Sequence, residues 1–300
     1  MISTTYRVAT TSGITIALHD LGGHGPTLLL SHATGFHGHV WQPMAEQLAD
    51  RFHCIALDFR GHGDADRPLD GSAHWQGYID DVAATLDALP DLGIERARFA
   101  VGHSMGGSAL LVAEATRPGT FDALVVYEPI VHPPEMQEFR RGEASMIAVN
   151  ARRRRAEFDS FAAAEANYLA KPPLNRFTPD AMHAYVQHGF ALTADGRVRL
   201  KCDPEHEART FEANSSIAVW DQLHAVRCPV LVLGGSLTDP GPASAAEPLA
   251  ERLAHATFHR FEELGHLGPM QDPAFVAQVI VRFLADHVGA TDGRGDSPTL

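Results

Sequence analysis

Cysteine is scarce in this chain, which has three cysteines among its 300 residues. Cys54, Cys202 and Cys228 are odd in number and far apart, which argues against a disulfide framework and against a zinc-binding motif. We expect three free thiols in a reducing compartment. The N-terminal residues also lack the basic segment followed by an apolar one that marks a secretory signal, so we expect a cytoplasmic location.

Positive charge is also in short supply. Lys and Arg total 24 against 37 Asp and Glu, which gives a formal net charge of −13. This balance argues against binding to nucleic acid or to an anionic membrane surface, and no apolar run is long enough to span a bilayer. The run Arg152–Arg155 is a local exception. Consecutive residues of a helix point in different directions, so we interpret this run as a solvated surface.

Histidine is abundant, with 18 residues, but no histidines are grouped as ligands on one face of a predicted helix. We therefore expect no catalytic metal, and nothing in the sequence calls for a cofactor. The oligomeric state is left open by these observations.

Short apolar runs alternate with helical patterns along most of the chain. Two strand-like runs, Tyr6–Thr10 and Ile14–His19, come first and are joined by a turn at Ser12-Gly13. Six further apolar runs are typical of buried strands: Thr27–His32, Phe52–Asp58, Phe99–Val101, Ala123–Glu128, Pro229–Gly234 and Thr257–Phe261. Continuous apolar strands separated by helices predict an α/β fold, with a mostly parallel sheet covered by helices on both faces.

The alternation stops in the middle of the chain. Residues 133–213 lack strong buried-strand runs, and we expect them to form a mostly helical cap over the carboxyl ends of the strands. The core then consists of residues 1–132 and 214–288. Residues 289–300 are rich in Gly, Asp, Ser and Thr, and we expect a disordered tail there.

Ser104 lies in a G-x-S-x-G pattern, Gly102-His103-Ser104-Met105-Gly106, between a predicted strand and a predicted helix. This pattern is typical of a serine nucleophile held on a sharp strand-to-helix turn. Glycines suit such a turn because Cβ atoms would obstruct the close approach of strand and helix. Alone, the pattern also fits a glycine-rich turn in some other α/β fold.

A serine nucleophile needs a base and an acid. His266, in Leu264-Gly265-His266-Leu267-Gly268, follows the last predicted strand and is our candidate base. Asp239 follows the strand Pro229–Gly234 and is our candidate acid. Glu128 ends the strand after the nucleophile helix and could reach the same histidine, so it stays open as the alternative acid.

Together these residues resemble the α/β-hydrolase fold family, in the subgroup with a helical cap after the sixth strand. The resemblance runs from about Tyr6 to His287 and is weakest within the cap. The matching segments are His32-Ala33-Thr34-Gly35-Phe36, Asp58-Phe59-Arg60-Gly61-His62-Gly63, Gly102-His103-Ser104-Met105-Gly106-Gly107, Asp239, Gly265-His266 and Gly268-Pro269.

The resemblance implies an oxyanion hole formed by the backbone N–H groups of Met105 and Thr34, with Ala33 as an alternative because His32-Ala33 replaces the commoner His-Gly pair. It also implies that His62 and His103 are structural residues.

We therefore expect a serine hydrolase that cleaves a carboxylic ester or lactone of a small to medium apolar substrate through an acyl-enzyme. Carbon–carbon bond hydrolases and cofactor-free perhydrolases or lyases use the same triad and remain alternatives. A non-catalytic ligand receptor is a more remote one, because all three triad members are present.

Overall fold

A computed structural model of the chain describes residues 4–136, 146–213, 216–238 and 242–288. Eight strands form one sheet in the order β1-β2-β4-β3-β5-β6-β10-β11. Their bounds are β1 (Thr4–Ala9), β2 (Thr15–Gly23), β3 (Thr27–Ser31), β4 (His53–Asp58), β5 (Phe99–His103), β6 (Ala123–Tyr127), β10 (Val230–Gly234) and β11 (Ala256–Arg260). Strand β2 pairs antiparallel with β1 and β4, and all other pairs are parallel. The mostly parallel α/β sheet predicted from the sequence is therefore confirmed.

Helices connect the parallel strands. Their bounds are α1 (Gln42–Leu48), α2 (Trp75–Ala88), α3 (Met105–Thr116), α4 (described over 146–152), α5 (Phe161–Leu169), α6 (Pro179–Gly189), α7 (Pro204–Glu212), α8 (Ser216–Gln222), α9 (Ala243–Arg252), α10 (Gly268–Gln271) and α11 (Pro273–Val288). None of the described helices is both long enough and apolar enough to cross a bilayer.

Alternate residues of each central strand pack into two separate hydrophobic clusters. Leu28 and Leu30 of β3 contribute to the cluster that contains α1 and α11, whereas Leu29 contributes to the cluster that contains α2, α3 and α9. Side chains of a strand point alternately to the two faces, so helices cover the sheet on both sides. The candidate site lies in the loops that follow the carboxyl ends of the strands.

Between β6 and β10, the residues that the structure describes add no strand to the large sheet. We call residues 146–213 the inserted segment. It was expected to be mostly helical, and it contains α4 to α7, but it also forms a three-stranded antiparallel sheet in the order β7-β9-β8. These strands are β7 (Glu157–Phe158), β8 (Phe190–Leu192) and β9 (Val198–Leu200). Runs of two or three residues are too short for alternation to show in a sequence.

Several expectations fall on residues that the structure does not describe. Asp239 and residues 289–300 lie outside the described residues. The three cysteines are described, and all are buried free thiols, as expected.

Candidate active site

Ser104 is the single residue between β5 and α3, and its backbone is strained. It has φ 54° and ψ −118°, in a region that non-glycine residues rarely occupy. The turn is held because the Ser104 N–H donates to the Tyr127 carbonyl over 3.0 Å and the Ser104 carbonyl accepts from the Ser108 N–H over 3.1 Å. The side chain is largely shielded, since Ser104 is 6% exposed. This is the sharp strand-to-helix turn that the sequence predicted.

The glycines around Ser104 are required by close backbone contacts. A Cβ on Gly102 would lie 2.6 Å from the Cα of Gly107, and a Cβ on Gly106 would lie 2.6 Å from the carbonyl oxygen of His32. Real Cβ atoms do not approach that closely. The N-terminus of α3 is thereby pressed against the end of β3, where the loop of residues 32–36 begins. We call these residues the β3 loop.

His266 lies in the loop between β11 and α10, at the same edge of the sheet. Its Nδ1 is hydrogen-bonded to Glu128 Oε2 over 2.7 Å, while its side chain is 24% exposed. Its ring lies 4.8 Å from that of His103, the neighbour of Ser104, and its carbonyl accepts from His103 Nε2 over 2.8 Å. Among the described residues, Nε2 of His266 has no hydrogen-bond partner, so this nitrogen is free to accept a proton.

Glu128 follows β6 directly, with φ 40° and a side chain that is fully buried. Its Oε1 accepts from the Gly235 N–H over 2.6 Å, so both carboxylate oxygens are held. The carboxylate on His266 is therefore that of the alternative acid. Asp239, the first candidate, lies outside the described residues.

Three supporting residues were not foreseen from the sequence. Tyr127 donates its hydroxyl to the Gly265 carbonyl over 2.7 Å, and the Gly265 N–H donates to Gln271 over 2.8 Å, so the loop of His266 is fixed on both sides of its backbone. Gly235 supplies the N–H to Glu128. The sequence signals that could have indicated two of them are a tyrosine at the carboxyl end of an apolar strand and a glycine directly after β10.

The two residues expected to form the oxyanion hole are brought together. Thr34 donates its hydroxyl to the sulfur of Met105 over 3.4 Å, which holds the two residues in contact. Met105 is the first residue of α3, where the N–H has no partner within the helix. The β3 loop is anchored by His32, whose Nδ1 donates to the Ala33 carbonyl and whose Nε2 accepts from the Phe59 N–H.

Several histidines near the site are buried and neutral. Burial lowers the pKa of His32 to about 4, and it lowers the pKa values of His62 and His103 well below their ordinary range. Their rings contact one another or neighbouring aromatic residues. The buried positions of His62 and His103 fit the structural part expected for them.

The arginine run is not a uniformly solvated surface, which corrects one expectation. Arg152 is exposed and pairs with Glu205 and Glu212. Arg154, in contrast, is turned inward and pairs with Glu207. Arg152 is the last described residue of α4 and Arg154 lies in the turn that follows it, so the Arg152 side chain points to solvent and the Arg154 side chain points to the core.

One group of donors among the described residues is close enough to hold a metal ion. It consists of His19, Asp58 and Asp64, whose ligand atoms lie within 4.8 Å of one another. These atoms already have protein partners. His19 Nε2 bonds to Asp58 over 2.8 Å, and the ammonium of Lys201 lies 2.6 Å from Asp64. We propose no metal site there.

The Alpha/beta hydrolase family matches residues 28–279 of the chain. The chain belongs to this family. The resemblance noted from the sequence is thereby confirmed, and the protein is a hydrolase.

Relatives and solved structures agree with this assignment. The chain is 28% identical over 283 residues to "Putative carbamate hydrolase RutD" from Caulobacter sp. (strain K31). The aligned region covers 89% of this chain and 95% of that protein. It is 25% identical over 243 residues to esterase YbfF from Escherichia coli (strain K12), covering 81% and 87%. The crystal structure of E-2-(acetamidomethylene)succinate hydrolase superposes with a TM-score of 0.79 at 24% identity, covering 94% of this chain and 99% of that one, which shows the shared fold.

Proposed function

We propose that this hydrolase cleaves a carboxylic ester or lactone of a small to medium apolar substrate, with Ser104 as nucleophile. The observation that carries the proposal is His266, held at Nδ1 by the buried Glu128 and with Nε2 free, beside the strained turn of Ser104. A serine hydroxyl is a weak nucleophile until such a base takes its proton. No hydrogen bond joins Ser104 to His266 in the described part of the chain, and such bonds often form only when substrate binds.

In the proposed reaction Ser104 Oγ attacks the substrate carbonyl while His266 Nε2 takes its proton. The N–H groups of Met105 and Thr34 stabilise the negative oxygen of the tetrahedral intermediate, and the helix N-terminus at Met105 favours that charge. His266 then protonates the leaving alcohol, and an acyl-enzyme remains on Ser104. A water that gives its proton to His266 releases the acid and restores Ser104.

Glu128 is assigned as the acid that orients His266. A carboxylate that accepts from Nδ1–H fixes the tautomer with a free Nε2 and stabilises the imidazolium formed during attack. Both oxygens of Glu128 are engaged, one with His266 and one with Gly235, which suits a fixed orienting group. Asp239, the other candidate, remains testable by substitution.

Apolar substrate is favoured by the aromatic side chains around the β3 loop. The ring of Phe36 lies 6.3 Å from that of His103, 5.2 Å from that of Tyr185 and 6.2 Å from that of Phe177. These contacts place aromatic surface from the core and from the inserted segment beside the residues proposed for chemistry.

A fluorophosphonate probe tests the class, because it labels an activated serine. We expect labelling at Ser104 in the natural protein, none in Ser104→Ala, and loss of p-nitrophenyl butyrate hydrolysis in that variant with its fold intact by circular dichroism. Retained hydrolysis in Ser104→Ala would remove the assignment.

A second candidate is hydrolysis of a carbamate or amide, favoured by the relative named for carbamate hydrolysis. The same residues apply, but His266 must protonate a leaving amine. A p-nitrophenyl ester and a p-nitroanilide with the same acyl group separate the two. A larger kcat/KM for the ester supports the ester assignment, and the reverse supports the second candidate.

A further inference from the structure

A buried ion pair belongs to the inserted segment and lies against the β3 loop. Arg154 Nη1 donates to Glu207 Oε2 of α7 over 2.5 Å, and the side chains of Arg154 and Glu207 are only 19% and 8% exposed. Arg154 Nη2 also donates to the hydroxyls of Tyr168 over 3.1 Å and of Tyr185 over 2.5 Å. Glu207 is therefore held by an arginine that is itself held by two tyrosines.

Arg154 stays charged despite its burial. Burial alone would lower the pKa of Arg154, but the neighbouring Tyr185 and Glu207 raise it well above its ordinary value. A buried ion pair is a weak source of stability compared with apolar packing of the same volume, because both charges lose their hydration. The position of the Arg154–Glu207 pair against the β3 loop therefore points to a functional role.

Glu207 touches the β3 loop at Gly35. A Cβ on Gly35 would lie 2.9 Å from the carboxyl carbon of Glu207, and closer still to Oε1. Gly35 has φ 80°, a left-handed conformation that glycine adopts readily, and it directly follows Thr34. The Glu207 carboxylate therefore occupies the space that the side chain of any larger residue at position 35 would need.

The inserted segment holds the same loop at its other end. The Tyr185 ring packs on Phe36, and His37 Nε2 donates to the Tyr185 carbonyl over 3.0 Å. Tyr185 also contacts Arg154, so both contacts on the loop belong to one connected cluster.

We propose that Glu207, fixed by Arg154, is a positioning residue that holds Gly35 and thereby aims the Thr34 N–H at the reacting oxygen. This inference rests on the proposed function, since Thr34 is an oxyanion donor only in that reaction. It makes the inserted segment a part of the oxyanion hole's support, in addition to a cover for the substrate.

Two conservative substitutions separate position from charge. Glu207→Asp keeps the charge but withdraws the carboxylate from Gly35 by one methylene. Glu207→Gln keeps the length but leaves Arg154 without its counter-charge. If Glu207 acts by position, Asp should lower kcat about tenfold with KM little changed, which is a fraction of the loss for an entire oxyanion donor. Gln should keep kcat within about twofold even though it lowers the melting temperature.

A trifluoromethyl ketone inhibitor reports on the oxyanion hole directly, because its adduct with serine carries the negative oxygen. Its Ki should rise in Glu207→Asp by the same factor as kcat/KM falls. Glu205→Asp is the matched control, since Glu205 lies on the same helix and pairs with the exposed Arg152. This control should change neither value.

Each other result overturns the proposal. If Glu207→Gln loses kcat and Glu207→Asp keeps it, the charge of residue 207 matters and the position of its carboxylate does not. If both variants keep kcat and only the melting temperature falls, the pair is structural. If Asp raises KM for an ester bearing a carboxylate but not for an uncharged ester, the cluster contacts substrate instead. Fluorophosphonate labelling of Ser104 in the natural protein tests the proposed function separately, so failure of one is distinguishable from failure of the other.

Discussion

Two buried carboxylates of the described residues lie at the carboxyl end of a strand of the sheet, and each binds a histidine. Glu128 follows β6 and is bonded to His266 over 2.7 Å, and Asp58 ends β4 and is bonded to His19 over 2.8 Å. Each also accepts a glycine N–H, from Gly235 in the first pair and Gly38 in the second. The local chemistry of the two pairs is the same.

The two carboxylate–histidine pairs differ in the partner of the second ring nitrogen of the histidine. His19 is fully buried, and its Nδ1 is hydrogen-bonded to the Thr5 hydroxyl over 3.0 Å, so both nitrogens are engaged. His266 is 24% exposed, and its Nε2 is free within the described residues. A carboxylate–histidine pair is therefore a general means of joining strands and loops. It becomes a candidate for proton transfer only when the far nitrogen faces a nucleophile.

The Asp58 pair has a structural purpose that the contacts explain. Asp58 joins His19 of β2, the turn at Gly38 and the N–H of Asp64, three segments far apart in sequence. Burial would raise the pKa of Asp58, but the hydrogen bond and charge of His19 hold it well below the ordinary range. The carboxylate stays ionised and keeps these segments together.

The largest contrast is expected from removing each histidine. His266→Ala should lower kcat/KM by roughly 10⁴-fold or more, because the proposed base is lost. His19→Ala should instead lower the free energy of unfolding by about 3–5 kcal/mol, because a buried carboxylate loses its partner. Steady-state kinetics and urea denaturation measure the two. Equal losses of kcat in both variants would erase the distinction.

The next contrast is between the carboxylates. Glu128→Gln should lower kcat by roughly 10³- to 10⁴-fold, because the amide no longer fixes the tautomer of His266. Asp239→Asn serves as the paired measurement and should leave kcat within about twofold. The reverse pattern would transfer the acid to Asp239.

The two glycines that donate to the carboxylates give a smaller effect. A Cβ on Gly235 would lie 2.8 Å from the carbonyl oxygens of Leu264 and Gly265, and one on Gly38 would lie 2.9 Å from the ring of His19. Each alanine variant should lose about 1–3 kcal/mol of stability through overpacking. Only Gly235→Ala should also slow turnover, by about tenfold, since it displaces the loop of His266. A slow Gly38→Ala enzyme would contradict this reasoning.

The smallest expected effect is a pH dependence of stability. It arises from His37 and His39, which flank the glycine that donates to Asp58. Burial lowers the pKa of His37 to about 3 and that of His39 to about 2, while both have a value near 6.5 when unfolded. Between these values the unfolded chain binds more protons, so stability should fall as the pH drops below about 6.5. His39→Gln should reduce the proton uptake on unfolding at pH 5 by about one. Urea denaturation from pH 7 to pH 4 measures the slope, and an unchanged slope would exclude His39 as a source.

Much of the candidate site could be predicted because its signals are local. Ser104 was placed by five consecutive residues between an apolar strand and a helix, and His266 by glycines that follow the last strand. Strand bounds were predicted to within a few residues for the same reason. Residues that act through distant contacts were not found, among them Tyr127, Gln271 and the inward-facing Arg154.

The sequence by itself determined the alternation of strands and helices, the sharp turn at Ser104 and the order of the candidate nucleophile and candidate base along the chain. Periodicity and turn chemistry depend on residues that are close together in the sequence, so they can be recognised from the sequence alone. Only the tertiary structure decided that Glu128, 138 residues from His266, is the carboxylate on its Nδ1. It also decided that Arg154 is buried while Arg152 is exposed. Those outcomes depend on which loops the packed sheet brings to one edge, and no local pattern specifies that.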